Sequence, residues 1–223
     1  MNRFRPTLAP FALAALCILS AAAAGATPAV RCANLIYGNN QTSRCFNNAF
    51  LEEVSLHSHI VAEKEFAQVR MESMELFRHP FAVMSGEGHF SLTQPQRDNL
   101  RRYLLNGGFL VASAGCSSRA WGGSFTREFE QIFPEYSLVK LPPEHPIFHT
   151  ITDVEKTAYR RGERRFPDLF GLEIDGRICL IYSPDGLNDT ATIKDSSCCC
   201  CGGNEIRDAK WINMNVLAFA LTH

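Results

Sequence analysis

The 223-residue sequence has almost no net charge. It contains 22 lysine and arginine residues against 23 aspartate and glutamate residues, which gives a formal net charge of −1 at pH 7. A balance of this kind creates no long-range field that would favour a polyanion or an anionic lipid surface. The composition therefore predicts no nucleic-acid partner, and it leaves the chemistry of any other ligand open.

The cysteines lack the spaced pairs of an ordinary zinc site. Four of them are consecutive, in a run that comprises Cys198, Cys199, Cys200 and Cys201. Adjacent side chains point apart and strain a common tetrahedral centre, although soft thiolates suit a thiophilic metal such as zinc or copper. The run has two interpretations, which are a metal site and a set of disulfides that reach Cys116 and Cys179.

The N-terminal segment has the pattern of a signal peptide. Arg3 and Arg5 precede an apolar run at 8–24, which ends in the small residues Ala24, Gly25 and Ala26. This pattern predicts a signal peptide over 1–26 and export to a periplasm or the cell exterior. An uncleaved membrane anchor is the alternative, but the run is short for a span of about 20 residues. We expect residues 27–223 to form a single domain with no stable membrane anchor.

Export would place the remaining cysteines in a compartment that generally oxidises thiols. Cys32 and Cys45 bracket a polar loop between the first predicted strand and the first predicted helix. We expect a disulfide between them that joins this strand to this helix.

Strands and helices alternate along the rest of the chain. The clearest helix starts at Thr93, where Gln96 completes a capping box, and ends at Gly107. Ser124 is predicted to cap the next helix. The predicted strands are 33–37, 66–71, 81–85, 109–112, 172–174 and 179–182. This alternation predicts a mostly parallel, doubly wound sheet with an antiparallel addition near the C-terminus.

Three loops of this sheet hold the candidate site, because ligands bind beyond the carboxyl ends of parallel strands. The loop after the strand at 81–85 contains Glu87 and His89, the next contains Cys116, and the loop after the strand at 179–182 contains Asp185. Carboxylate, imidazole and thiol groups together can supply an acid, a base and a nucleophile. We therefore predict Cys116, Glu87 and His89 as catalytic residues.

A cluster of four arginine residues lies between the predicted strands at 109–112 and 172–174. It comprises Arg160, Arg161, Arg164 and Arg165. Such a cluster can hold an anion, but a run of like charges is more typical of a solvated loop. We predict that it lies outside the site.

Several segments together resemble a bacterial family, domain of unknown function 4159 (DUF4159). They include 75–81 (Glu-Leu-Phe-Arg-His-Pro-Phe), 133–136 (Phe-Pro-Glu-Tyr), 145–148 (His-Pro-Ile-Phe) and 182–184 (Tyr-Ser-Pro). The resemblance covers nearly all of the mature chain. It implies a class I glutamine amidotransferase-like fold, which is a flavodoxin-like three-layer α/β sandwich with a mostly parallel central sheet. It implies no established activity.

In amidotransferases of that fold, a turn between a strand and a helix presents a nucleophilic cysteine. Cys116 occupies the matching place in the order of elements. The flanking residues are Ala114 and Ser118 where the usual pattern has glycines, and no His-x-Glu pair follows the strand at 179–182. His89 and His145 are therefore the remaining candidate bases for the thiol.

Two functional hypotheses follow from these observations. The first is a non-catalytic or accessory module that binds a small molecule or a protein partner in the cleft. The second is a thiol- or metal-dependent hydrolase that uses Cys116 with Glu87 and His89, or a metal held by the cysteine run. Redox exchange through the run is a third possibility. The sequence alone does not decide between them.

Overall fold

The computed structural model describes residues 28–39, 41, 46–189 and 204–223. Its strands are β1 (Cys32–Ile36), β2 (Ala67–Arg70), β3 (Phe81–Gly86), β4 (Phe109–Ala114), β5 (Val139–Lys140), β6 (Thr157–Ala158), β7 (Arg164–Arg165), β8 (Phe170–Ile174) and β9 (Arg177–Ser183). Its α-helices are α1 (Ala49–His57), α2 (Gln94–Leu105), α3 (Arg119–Ile132) and α4 (Ala209–Thr222). No helix in these ranges is long and apolar enough to cross a membrane.

Seven of the described strands form one sheet in the order β2-β1-β3-β4-β9-β8-β5. The five strands from β2 to β9 in that order are parallel, whereas β8 and β5 are antiparallel to their neighbours. Strands β6 and β7 pair separately as a hairpin. The predicted mostly parallel sheet, with its antiparallel addition near the C-terminus, is confirmed.

Both faces of the central strands are buried. Phe81 and Val83 of β3 belong to a core that includes residues of α1 and α4, whereas Ala82 and Met84 belong to a second core with residues of α2 and α3. Successive strand residues point to opposite faces, so a strand covered on both sides has to be apolar throughout. This explains the continuous apolar runs in the sequence.

The predicted boundaries of α2 are confirmed. Gln96 Oε1 accepts a hydrogen bond from the N–H of Thr93 at 3.1 Å, as expected of the capping box. Gly107 follows the helix with a φ of +99°. Glycine reaches this left-handed conformation without steric cost, so it ends the helix.

The predicted cap of α3 is wrong. The helix begins at Arg119, six residues earlier than expected, and Ser118 is the N-cap residue whose side chain accepts a hydrogen bond from the N–H of Trp121. Ser124 lies inside the helix and is fully buried. Burial of Trp121 against Phe125 and Phe90 stabilises the first turn, which outweighs the weak helix propensity of the glycines at 122 and 123.

Gly86 at the end of β3 leaves room for two aromatic side chains. A Cβ atom at this position would lie 2.5 Å from Tyr37 Oη and 2.8 Å from Trp121 Nε1. These two atoms are hydrogen-bonded to each other at 2.7 Å, and Tyr37 also donates to the carbonyl of Ser85. The contact therefore joins the residue that follows β1 to the end of β3 and the first turn of α3.

We predict that Gly86→Ala destabilises the domain by about 1–3 kcal/mol, because the added methyl group overpacks this contact. Gly88→Ala is the matched control, since a Cβ there meets nothing within 4 Å. Urea unfolding of the two variants measures the difference. Equal free energies of unfolding would contradict the packing described here.

Candidate functional site

The three predicted loops meet at one edge of the sheet. Gly86 at the end of β3 lies beside Ala114 at the end of β4, and Ser113 lies beside Ser183 of β9. The loops that carry Glu87, Cys116 and Asp185 therefore leave the sheet next to one another. This arrangement follows from the parallel order β3-β4-β9, and it agrees with the prediction.

The turn after β4 has an unusual backbone conformation. Cys116 has a φ of +54° and Ser117 a φ of +53°, and both residues carry a side chain. Left-handed conformations at non-glycine residues cost on the order of 1–3 kcal/mol each and persist where the surroundings hold them. They are concentrated at active sites and ligand clamps. The turn presents Cys116 between the end of β4 and the start of α3.

Two carboxylates contact Cys116. Its Sγ donates to Glu87 Oε1 at 3.4 Å, and its backbone N–H donates to Glu205 Oε1 at 2.6 Å. Glu205 is buried, with 3% of its surface exposed. Sequence reasoning missed Glu205, because it lies 89 residues from Cys116 and no pattern around it indicates a function.

His89 lies in the same loop as Glu87 but faces elsewhere. The side chain is exposed, and its Nδ1 lies 3.5 Å from the hydroxyl of Ser124 in α3. The structure thus brings Glu87, and not His89, to the thiol of Cys116. Both residues were predicted as catalytic, but their side chains have different partners, since Glu87 contacts the thiol and His89 lies beside Ser124.

His145, the other candidate base, is part of a different contact. Its Nδ1 accepts a hydrogen bond from the N–H of Ile147 at 3.2 Å, and its ring lies 5.5 Å from that of Phe219 in α4. Burial lowers the pKa of this imidazole, which favours its neutral form. His145 therefore stabilises its own loop against α4.

A buried polar network fixes the strand ends beneath the turn. Asn188 Oδ1 accepts hydrogen bonds from Ser85 Oγ at 2.9 Å and from Ser113 Oγ at 2.7 Å. Ser113 Oγ also accepts from the N–H of Leu187 at 2.8 Å. These three polar side chains are each at most 3% exposed. Their mutual hydrogen bonds compensate for burial and attach the loop after β9 to β3 and β4.

The β6–β7 hairpin is attached to the site through Asp185. The carboxylate of Asp185 accepts hydrogen bonds from Tyr159 Oη at 2.9 Å and from Arg165 Nη2 at 2.7 Å, and its carbonyl accepts from Ser117 Oγ at 2.7 Å. The guanidinium of Arg165 lies 4.3 Å from the centre of the Tyr159 ring. Burial and the neighbouring carboxylate raise the pKa of the Tyr159 hydroxyl. Asp185 thus links the hairpin to the turn of Cys116.

A cavity of about 390 Å³ lies beside the thiol. It is lined by Cys116, Ser117, Arg119, Arg161 and Asn204. The basic cluster was predicted to lie outside the site, but Arg161 at the tip of the hairpin lines this cavity. The arginine cluster is visible in the sequence. Its position beside the cavity depends on the contacts of Tyr159 and Arg165 with Asp185, which the sequence does not reveal.

The family described as domain of unknown function (DUF4159) matches residues 31–221. The chain belongs to this family. No curated protein matches it.

Among the described residues, Cys32, Cys116 and Cys179 of the DUF4159 domain form no disulfide with one another. The sequence-based interpretation paired each of them with another cysteine. The expected partner of Cys32, Cys45, and the expected partners of the other two, in the run at 198–201, lie outside the described residues. The same applies to the metal site proposed for that run. Elsewhere, in the described part of the chain, no group of three or more histidine, cysteine, aspartate or glutamate residues has an arrangement that could hold a metal ion.

The three thiols differ in their environment. Cys32 and Cys179 are fully buried in the two cores, whereas Cys116 is partly exposed beside the cavity. Burial raises the pKa of Cys32 to about 12 and that of Cys179 to about 11. The reactive form of cysteine is the thiolate, so these two residues are protonated and inert at neutral pH.

We predict that iodoacetamide alkylates Cys116 of the native DUF4159 domain at pH 7.5 at least about 100-fold faster than Cys32 or Cys179, because the two raised pKa values leave on the order of one thiolate in a thousand or fewer. Peptide mass spectrometry after timed quenching measures each residue. The same peptides labelled in urea give the reference rates. Similar rates for the three residues in the native state would contradict the burial described above.

Proposed function

We propose that the DUF4159 domain is a thiol-dependent hydrolase with Cys116 as its nucleophile. The observation that carries this proposal is the left-handed conformation of Cys116 at a strand end, with its Sγ 3.4 Å from a carboxylate oxygen of Glu87. A positioned nucleophile next to a proton acceptor is the arrangement that covalent catalysis requires. The cavity beside the thiol supplies space for a substrate.

The sheet order supports the finer fold assignment on which this proposal draws. The five parallel strands run β2-β1-β3-β4-β9, which is the order of a flavodoxin-like sandwich. Cys116 follows β4, and this is the matching place in the order of elements for the nucleophile of the class I amidotransferase-like folds that the sequence resembles. This part of the argument is an analogy between folds, and function has to rest on the site itself.

Glu87 is the proposed base. It takes the proton of the Cys116 thiol as Sγ bonds to the acyl carbon, and the leaving group departs with that proton. Water then attacks the thioester and gives a proton to Glu87, which returns it to Sγ as the carboxylic acid leaves. A thiol ordinarily holds its proton more tightly than a carboxylic acid does. The first transfer therefore has to accompany formation of the S–C bond.

A non-catalytic binding module is the second candidate function. Two observations favour it. His89 is directed towards Ser124 and therefore does not serve the thiol as a base. The N–H of Cys116 already donates to the carboxylate of Glu205 and is therefore not available to a substrate. In this alternative the cleft binds a small molecule or a protein partner, and the thiol contributes contacts only. Replacement of Cys116 would then alter stability or binding without removing any reaction.

We predict that Cys116→Ala abolishes hydrolysis of an activated ester such as p-nitrophenyl acetate, and that Glu87→Gln lowers kcat/KM by about 10²- to 10⁴-fold through loss of the base. Initial rates of p-nitrophenol release at pH 7.5 measure both effects. Glu130→Gln, on the exposed surface of α3, is the matched control and is expected to leave the rate unchanged.

Two results would count against the hydrolase. Undiminished hydrolysis by Cys116→Ala would show that the reaction occurs elsewhere, including at a metal held by the cysteine run. Absence of hydrolysis by the unmodified protein, together with a stable fold, would favour the binding module. A loss of activity in His89→Asn as large as that in Glu87→Gln would reassign the base.

We further propose, from the sequence pattern of 1–26 alone, that the protein is exported and cleaved after Ala26. Expression in a bacterium, followed by intact-mass measurement of the periplasmic fraction, is expected to give a chain that begins at Thr27. Ala26→Phe is the control, because a large side chain blocks the small-residue cleavage site. A full-length chain in the cytoplasm would contradict the proposal.

A further inference from the structure

The carboxylate of Glu205 contacts the nucleophile but takes no part in the proton transfers proposed above. Its Oε1 accepts a hydrogen bond from the Cys116 N–H at 2.6 Å, whereas Cys116 Sγ donates to Glu87. We propose that Glu205 is a positioning residue of the hydrolase, which fixes the backbone of Cys116 so that its thiol lies at the proposed base. This inference rests on the proposed hydrolase function and adds a residue to its site.

The two hydrogen bonds hold Cys116 at both its backbone and its side chain. The bond to Glu205 fixes the peptide plane between Gly115 and Cys116, because the N–H lies in that plane. The φ of +54° at Cys116 then sets the direction of its Cα–Cβ bond. A left-handed residue persists only where its surroundings hold it, and a reacting group displaced by about 1 Å can lose on the order of 10²-fold in rate. Loss of the bond to Glu205 would therefore affect the thiol.

The backbone of Glu205 is itself attached to the β6–β7 hairpin. Its carbonyl accepts a hydrogen bond from the N–H of Arg160 at 2.9 Å. The next residue, Ile206, is buried and forms an antiparallel β-bridge with Tyr159. The Tyr159 hydroxyl in turn donates to Asp185. Glu205 therefore reaches Cys116 from a segment that is paired with the hairpin.

Gly186 leaves room for the side chain of Glu205. A Cβ atom at position 186 would lie 3.3 Å from Glu205 Oε1 and 2.8 Å from the carbonyl oxygen of Ala114. Gly186 also has a φ of +93°, a conformation that residues with a side chain rarely adopt. The carboxylate of Glu205 thus packs closely against the loop after β9, and this contact limits the positions that its Oε1 can take.

The two glutamates at Cys116 have different roles in this proposal, and glutamine substitutions separate them. Glu87→Gln removes the base. Glu205→Gln keeps an oxygen that can accept the Cys116 N–H, because an amide carbonyl is also an acceptor. We expect Glu205→Gln to retain kcat/KM for p-nitrophenyl acetate within about three-fold of the unmodified protein, since only the charge of the acceptor is lost.

Glu205→Met removes the acceptor at a similar side-chain length, since a thioether accepts hydrogen bonds only weakly. We expect kcat to fall about 10- to 100-fold with a smaller change in KM, because the nucleophile is misplaced while the cavity remains. Glu163→Met is the matched control. The Glu163 carboxylate accepts a hydrogen bond from Asn204 Nδ2 at 2.6 Å in the same hairpin contact. This control is expected to leave kcat within about two-fold.

Hydrogen exchange of the Cys116 amide tests the contact without turnover. Protein labelled with ¹⁵N-cysteine gives one amide signal for each cysteine, and the signal that is missing in Cys116→Ala belongs to Cys116. A hydrogen-bonded amide in a stable segment exchanges slowly with solvent. We expect protection of this signal in the unmodified protein and in Glu205→Gln, and exchange at least about 10-fold faster in Glu205→Met.

The inference is overturned if folded Glu205→Met keeps its kcat, or if Glu205→Gln loses as much activity as Glu87→Gln. An unprotected Cys116 amide in the unmodified protein would also overturn it, and this measurement needs no variant to fold. Loss of protection in Glu205→Met, in a protein that hydrolyses no ester, would contradict the hydrolase and retain the hold of Glu205 on the turn. Hydrolysis that depends on Cys116 and not on Glu205 would support the hydrolase and overturn the inference.

Discussion

The carboxamide of Asn188 joins three segments that are distant in the chain. Its Oδ1 accepts hydrogen bonds from serines at the ends of β3 and β4, while its own backbone belongs to the loop after β9. In a buried environment each of these polar groups would cost about 1–3 kcal/mol without its partner. The three strand ends are therefore held in one arrangement, and the loops that leave them have little freedom to separate.

The unusual backbone conformation of the turn at Cys116 depends on this fixed arrangement of the strand ends. Left-handed conformations at two successive non-glycine residues are unfavourable in an isolated peptide. Here Ser117 is hydrogen-bonded to Asp185, and Cys116 to Glu205 and Glu87, so segments on both sides of β4 hold the turn. The same contacts place a thiol, a carboxylate and a cavity together, which is why we consider this turn the functional centre of the domain.

The fold was largely accessible from the sequence, because its signals are local. Apolar runs indicate the strands buried on both faces, and the capping box of Thr93 with the glycine at 107 indicates the limits of α2. The start of α3 was misplaced because it depends on burial of Trp121 among residues from other elements. Local propensity contains no information about such a contact.

The site was only partly accessible for the same reason. Loop order was sufficient to bring Glu87 and Cys116 together, but it contains no information about the direction of His89, whose Nδ1 lies 3.5 Å from the hydroxyl of Ser124 in α3. Glu205 and Arg161 reach the turn through contacts between segments far apart in sequence. The resemblance to amidotransferase-like folds indicated where a nucleophile would lie. The sequence has no His-x-Glu pair after the strand at 179–182, so the resemblance did not indicate which residues contact that nucleophile.

The most direct test of the account is detection of an acyl-enzyme. The protein is mixed with p-nitrophenyl acetate, quenched in acid within the first turnover and mapped by peptide mass spectrometry. We expect one acetyl group per chain, attached to Cys116, and no acetylated Cys116 peptide in samples allowed to deacylate fully. Release of p-nitrophenol without acetylation of Cys116, or acetylation confined to other cysteines, would contradict the assignment of Cys116 as the nucleophile.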